Sequence, residues 1–490
     1  MARVDAALAA VAALFLTGCS LAPPLKVPDV PVAQSYKEEA PWTQAKPADA
    51  LPRDAWWSLY GDTDLDDLQK KLVVNSPDLA AALARYQQAQ AVADQARSGL
   101  FPTLFGALDA NRNRQSEKKP LRVLGPGSPN EYGSYTVGAE LDYELDLWGR
   151  IRNEVASGDA SAQAAEADLE SARLSLQAQL ADSYIVLRGL DREVTLLKDT
   201  VEAYKRALDL TQQRRAGGIA SGLDVARAQT QLDSARAQVE QTLAARALTE
   251  HAIAALIGES ASSFAIEPRL ADITLAQVPP GVPSTLLQRR PDIAAAQRRI
   301  EAANAEIGVA RAAFFPSITL SAAAGFQSSE AGNWIKAPNS YWSIGPSLLM
   351  TLFDAGKRKA EVAQAQAVLD ETGARYRGVV LAAFQQVEDN LALLNHYRLA
   401  ADADKSAVEA AQRSLDFSLS RYREGAVNYL EVVTSQTTML QVQLEALDLD
   451  TRQLRASVQL IRALGGGWTE ADMPVAAASP AGMKTPVSGG

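Results

Sequence analysis

The sequence predicts a mostly helical protein that carries a few membrane strands and is built from two copies of one unit. Three observations lead there. The chain repeats itself, its helical periodicity runs far beyond globular length, and each copy holds strand-period segments of about ten residues. Composition agrees. Of 490 residues, 47% are hydrophobic and 22% charged, enough apolar material for a packed protein. Aromatics make up only 6% while alanine abounds, which favours closely packed long helices over a β-sandwich core. The net charge of −10 excludes a basic nucleic-acid footprint. A single cysteine, Cys19, rules out an intrachain disulfide and a cysteine metal cluster. Only His251 and His396 are available for histidine chemistry, so neither a His-centred triad nor a His-rich metal site is expected.

The repeat is read by alignment of the chain with itself. The segment "SPDLAAALARYQQAQAVADQARSGLFP" from Ser76 matches "RPDIAAAQRRIEAANAEIGVARAAFFP" from Arg290 at an offset of 214. Gly138, Gly149, Gln179, Asp182, Gly218, Leu223 and Gln229 match Gly345, Gly356, Gln386, Asp389, Gly425, Leu430 and Gln436 at an offset of 207. The loop between Pro102 and Gly138 is therefore seven residues longer than its counterpart. Two copies of one unit imply a pseudo-symmetric duplicated fold.

Each copy opens with a helix, roughly 77–99 and 291–313. Proline suits the first turn, and Asp78 and Asp292 suit the helix dipole. A hairpin follows, then a very long helix, roughly 151–216 and 358–423, broken at Gly217-Gly218 and Gly425. A last helix closes the unit, roughly 222–257 and 428–464. In the long helix Leu187, Leu190, Val194, Leu197, Val201, Tyr204 and Leu208 alternate steps of three and four, the coiled-coil spacing. About 66 residues at 1.5 Å each span on the order of 100 Å.

The hairpins have period two. Tyr135, Val137, Ala139, Leu141 and Tyr143 alternate with Thr136, Gly138, Glu140, Asp142 and Glu144. In the second copy Ile318, Leu320, Ala322 and Phe326 alternate with Thr319, Ser321 and Gln327, and Trp342, Ile344, Leu348 and Met350 with Ser343, Gly345 and Ser347. Soluble antiparallel sheets share this pattern. Ten-residue length, with Phe101, Phe105, Tyr143, Phe315 and Trp342 as an interfacial girdle, favours outer-membrane strands. Four strands cannot close a barrel, and lipid tolerates no open edge. The strands of one chain must therefore join those of other chains, eight strands from two or twelve from three. The acids Glu140, Asp142 and Glu144 either make the enclosed face cation-preferring or sit at its base and pair with Arg150 or Arg152.

Residues 1–18 read as a secretory signal whose apolar run, Ala6 to Leu16, is too short to span a bilayer. It ends in Leu16-Thr17-Gly18-Cys19, which resembles the bacterial lipobox and implies diacylglycerol on Cys19. Ser20 after it favours the outer membrane. The expected organisation continues with a Pro-rich tether (19–53), a first repeat (54–258), a connector (259–289), a second repeat (290–464) and a Gly/Ala/Pro-rich tail (465–490). No mature segment is apolar enough for a transmembrane helix.

The lipobox, "WWSLYGDTDLDDL" from Trp56, "SPDLAAA", "RRPDIAAAQRRIEAANAEIGVARAAFFPSITL" from Arg289, "LFDAGKR" from Leu352, "RYREGAVNYLEV" from Arg421 and "ALGGGW" from Ala463 together resemble the TolC-like outer-membrane factors, in the OprM/NodT branch of outer-membrane efflux lipoproteins. The resemblance covers nearly the whole mature chain. It implies a homotrimer whose protomers each give four strands to a twelve-stranded outer-membrane barrel, continued by a long periplasmic α-helical coiled-coil barrel. The role it implies is the exit duct of a tripartite pump, with a periplasmic adaptor protein and an inner-membrane RND-type transporter as partners. It implies no cofactor beyond the lipid.

The family constricts its periplasmic tip, and an adaptor docks there. By the resemblance the tip is the turn region of Gly217, Gly218 and Gly425, and the constriction positions are Leu430, Glu431 and Thr434. Three Leu430 side chains would form a dewetting ring and three Glu431 side chains an acidic one. Glu431 can also be read as a solvated carboxylate at a helix start. Relatives carry an acid where Thr434 stands. Tyr422 and Asp224 match the pair that locks the closed tip, while an arginine that helps elsewhere is Val427 here. Plain coiled-coil packing is the other reading of Tyr422. Two further functions compete: an exit channel for type I protein secretion, and a pore-less periplasmic structural lipoprotein. An enzyme is not expected, because no phosphate loop, nucleophile elbow or metal cluster is present. Acid pairs such as Asp66-Asp67 read as solvated charge on helix faces.

Overall fold

The computed structural model describes residues 20–30, 33, 35–38, 55–116, 129–271, 273–276 and 289–466. The signal segment 1–18, Cys19, residues 39–54 of the tether and residues 467–490 of the tail lie outside the described residues.

A 3-10 turn at Trp56–Tyr60 leads into helix α1 (Thr63–Asn75), where the Asp62 carboxylate accepts from the amides of Asp64 and Leu65. The first copy then runs α2 (Pro77–Ser98), β1 (Thr103–Arg114), β2 (Glu131–Glu144), α3 (Arg150–Ala216) and α4 (Gly222–Leu256). The second runs α5 (Pro291–Ala312), β3 (Ser317–Ser328), β4 (Ser340–Leu349), α6 (Lys357–Arg423) and α7 (Tyr429–Ala463). Corresponding helices have equal lengths: 22 residues in α2 and α5, 67 in α3 and α6, 35 in α4 and α7. The duplication seen in sequence is thus a duplication of structure.

Both long helices stop by the same device. Gly218 and Gly425 adopt φ of 73° and 80°, the left-handed region that glycine enters without a Cβ clash. Around them the amides of Ile219 and Ala426 donate to the carbonyls of Arg214 and Arg421 at 2.8 Å, and those of Gly218 and Gly425 to Arg215 and Tyr422. These are Schellman caps.

The four strands form one antiparallel sheet in the order β1-β2-β3-β4. The central pairing, β2 with β3, joins the two copies, with Tyr135 opposite Ser328 and Glu144 opposite Thr319. β1 and β4 are its edges.

The chain forms two compact units that cut across the duplication. One takes the described residues of 20–28, 87–165 and 296–375, including the whole sheet; the other takes the rest. The second unit has the largest apolar cluster, with Trp56, Tyr60, Leu65, Leu72, Leu180, Leu187, Ile253, Val387, Leu391 and Ile461. The coiled-coil register of α3 holds there: Leu187, Val194, Leu197, Tyr204 and Leu208 are buried, and Leu190 and Val201 are half-buried.

The described part of the tether departs from a free spacer. In the first unit Asn304 Nδ2 donates to the Pro23 carbonyl at 2.9 Å, Arg311 Nη1 to that of Leu21 at 3.1 Å, and Ser20 Oγ to Asn153 Oδ1 at 2.8 Å. Gly308 on α5 leaves the space, since a Cβ there would meet Asn153 and the Ala22 amide. In the second unit the Glu388 carboxylate accepts from the amides of Lys37 and Glu38, and Tyr36 is buried. Extended Pro-rich backbone pairs none of its own carbonyls, so side chains on the helices can capture them.

Candidate functional site

Two places carry the residues singled out in sequence. The first is the sheet. Its register puts Leu104, Leu108, Val137, Leu141, Leu320, Ala322, Ala324, Phe326, Trp342, Ile344 and Leu348 on one face. The other face holds Asp109, Asn111, Thr136, Glu140, Asp142, Glu144, Thr319, Ser321, Gln327, Ser343 and Ser347. Aromatic pairs mark both ends of the strands. Tyr135 stacks on Trp334 at 5.2 Å between centroids, and Trp148 on Phe315 at 4.7 Å, with Trp148 Nε1 donating to the Pro316 carbonyl. Phe105 is a correction: it stands opposite Glu140 on the polar face, outside any apolar girdle. Leu104 and Phe105 are adjacent and both apolar, so β1 alone does not say which of them faces which way. The register against β2 decides, because neighbouring residues point to opposite faces.

The acids of β2 separate into different roles. Glu144 accepts from Arg150 Nε and Nη2 at 2.9 and 2.7 Å, so it sits at the strand base as an ion pair. Arg152 pairs instead with Asp146, whose carboxylate also accepts from the amides of Ile151 and Arg152 and caps α3. Asp142 accepts from Ser321 Oγ at 2.6 Å. Glu140 and Asp142 remain as negative charge on the polar face.

The second place is the tip of the helical hairpins, within the second unit. Its core is Tyr204, Leu208, Ala228, Leu232, Ala235, Tyr422, Tyr429 and Val432. On α7 Tyr429, Val432, Gln436 and Met439 are buried at helical spacing. The intervening Leu430, Glu431 and Thr434 point away from this core, and Leu430 is 46% exposed. Thr434 Oγ1 donates to the Leu430 carbonyl at 2.9 Å, which leaves Glu431 as the charge on that face. Glu431 lies in the first turn of α7, where the dipole favours a carboxylate.

Tyr422 is 4% exposed, and its hydroxyl is buried with no hydrogen-bond partner. Its ring lies 5.3 Å from that of Tyr429, whose hydroxyl pKa is pushed up to about 12 by burial. Asp224 is occupied elsewhere: it accepts from the Ser221 amide and hydroxyl at 3.1 and 2.8 Å, completing a capping box at the start of α4. Tyr422 and Asp224 thus belong to one tip but share no hydrogen bond in this protomer. Gly218 and Gly425 make the two caps, and Gly217 precedes the first of them.

The residue that sequence reading missed is Arg214, in the last turn of α3. Its Nη1 donates to the carbonyls of Tyr422 and Arg423 at 2.9 and 3.1 Å, and its guanidinium lies 4.7 Å over the Tyr422 ring. A basic residue ending a helix is a legible signal; its partners on a helix more than two hundred residues away are not.

Sequence reading also missed a buried charge network in the second unit. Asp191 accepts from Arg188 at 2.8 Å and from Arg246 at 2.6 Å. Arg188, Arg192 and Arg246 donate in turn to the carbonyls of Glu267, Ala271 and Ile266, and Arg269 reaches Asp62. Three arginines thereby satisfy backbone of the irregular connector.

Among the described residues no three His, Cys, Asp or Glu side chains gather as a metal site, and no helix is long and apolar enough to cross a membrane. The profile of the family described as "Outer membrane efflux protein" matches residues 68–259 and 282–466. The chain is 33% identical over 462 residues to the outer membrane protein OprJ of Pseudomonas aeruginosa, covering 94% of this chain and 95% of that one. It is 34% identical over 426 residues to the pyoverdine export outer membrane protein OpmQ of the same organism, covering 86% and 89%. Its fold is similar to that of the outer-membrane channel OprN, with a TM-score of 0.84, 30% identity and coverage of 92% of this chain and 100% of that one. With a two-faced sheet, a duplicated helical frame and matches along almost its whole length, the chain belongs to the outer membrane efflux protein family.

Proposed function

We propose that three copies of this outer-membrane protein close one barrel and form the passive exit duct of a tripartite efflux pump. The observation that carries this reading is the sheet: four long strands, one face apolar, one polar, and both edges unpaired among the described residues. In lipid each unpaired edge group costs several kcal/mol, so β1 and β4 must pair with other copies. Three copies give twelve strands, the number the family resemblance implies. The apolar face then meets lipid, and Glu140 and Asp142 face the enclosed water, where they attract cations. The duct carries small molecules delivered by a periplasmic adaptor and an RND-type inner-membrane transporter, and the pump rather than the duct selects them. It catalyses nothing and holds no cofactor. A lipid on Cys19 anchors it, and the tip, with Leu430, Glu431 and Thr434 turned away from the protomer core, is where it closes.

Electron microscopy of the protein extracted from outer membrane in mild detergent tests the assembly. Three-fold symmetric end views are expected; a monomer or a two-fold particle would overturn the reading. A second test separates the faces. Ala322→Arg puts a charge on the apolar face and costs about 2–4 kcal/mol at the bilayer midplane. Folded, heat-modifiable protein in the outer membrane should fall sharply. Ala323→Arg, one residue on and opposite Glu140, should insert like the wild type. Equal insertion of the two would remove the lipid-facing assignment.

A further inference from the structure

We propose that Arg214 is the positioning residue that holds the tip closed from within each protomer, by clamping the end of α6 and through it the start of α7. This rests on the reading of the tip as the gate.

The carbonyls of Tyr422 and Arg423 are among the last four of α6, which have no partner inside their own helix; that of Tyr422 also accepts from the Gly425 amide in the cap. Arg214 takes both at 2.9 and 3.1 Å and covers the Tyr422 ring with the same guanidinium. One guanidinium nitrogen donates to both carbonyls while the flat face of the group stacks on the ring, a pairing of planes that a compact ammonium reproduces only in part. Tyr422 contacts Tyr429, the first residue of α7, and Leu430 and Glu431 come directly after it. The chain of contact therefore runs from the end of the first copy's long helix to the gate positions of the second.

The duplication makes the clamp one-sided. At the offset of 207 the counterpart of Arg214 is Arg421, and Arg421 is exposed. The counterpart of Asn428 is Ser221, and the two helix starts differ in the same sense. Ser221 and Asp224 close a capping box on α4, whereas Asn428 makes no side-chain cap on α7. The start of α7 thus lacks the local fixation that α4 has, and Arg214 supplies it through Tyr422. Arg214 stands where a clamp is needed: beside the turn at Gly425, in a chain with Val427 after it.

The test uses the full-length protein reconstituted in planar bilayers, together with vancomycin sensitivity of cells that produce it. Arg214→Met keeps the stem and removes all donors; several-fold higher conductance and raised vancomycin sensitivity are expected. Arg214→Lys keeps charge and bulk, guards against a folding defect, and should leak to an intermediate degree. Arg421→Met should conduct as the wild type does. Trimer recovery after extraction confirms that each variant assembles. Wild-type conductance of both Arg214 variants, alongside a leaking Leu430→Ser/Glu431→Ser protein, would overturn the clamp and leave the gate standing. If the double variant is also silent, the tip reading falls and takes the clamp with it.

Discussion

A protein carrying Leu430→Ser together with Glu431→Ser should leak: conductance in planar bilayers rises several-fold, and cells become vancomycin-sensitive. Both side chains point away from the protomer core, where Tyr429, Val432 and Gln436 carry the packing, so the substitutions leave the coiled coil intact. In the trimer proposed above, the exposed Leu430 would present apolar surface to the gap between tips, and three such surfaces would exclude water from a narrow pore. Serine re-wets it. Glu431 adds a negative ring, so its loss should also lower cation preference, which the reversal potential in a salt gradient reads separately. Unchanged conductance and unchanged drug sensitivity would place the constriction elsewhere.

Asp191→Asn is expected to destabilise the second unit by about 1–3 kcal/mol, because it takes the buried carboxylate from two guanidinium groups and leaves each only one, more exposed, acidic partner. Asp191 and Arg188 are each only 2% exposed in their side chains, and Arg246 only 11%. Arg246 would keep Glu250 at 2.9 Å and Arg188 would keep Asp64 at 3.1 Å, so the network weakens without vanishing. The effect reaches the connector, since the same arginines hold the carbonyls of Ile266 and Glu267. A guanidinium titration in detergent, followed by tryptophan fluorescence, should show the lowered midpoint. Glu371→Gln, at an exposed pair with Arg375, should leave it where it is. If the two variants shift the midpoint equally, the buried network contributes no more than a surface pair.

Much of the frame was legible because its signals are local. Ser-Pro-Asp and Arg-Pro-Asp mark the starts of α2 and α5, and the observed helices begin at Pro77 and Pro291. Gly218 and Gly425 mark the ends of α3 and α6, since only a residue at ease with positive φ closes a Schellman cap there. Tyr135 to Glu144 alternates cleanly and forms β2 as expected. Phe105 was misread for the same reason turned round: two adjacent apolar residues carry no parity.

The candidate site divides along the same line. Leu430, Glu431 and Thr434 were reached by resemblance, and helical spacing then sorts them from Tyr429 and Val432 with little help from the rest of the fold. Arg214 was not reachable. Its sequence neighbours, Gln212 to Gly218, read as an ordinary basic helix end, and its acceptors are backbone carbonyls, which every residue possesses and no residue type announces. The same holds for Arg188, Arg192 and Arg246 on the connector and for Asn304 and Arg311 on residues 21–23.

The linear chain thus decided the duplication, the helix lengths, the strand alternation and the need for other copies to close the sheet. All of these depend on periodicity, punctuation and the number of strands, which are properties of neighbours along the chain. Tertiary structure alone decided the register that joins β2 to β3, the face on which Phe105 lies, and the partners of the buried arginines. Those follow from contacts between residues far apart in the chain, and a guanidinium or a carbonyl accepts many partners until packing leaves it one.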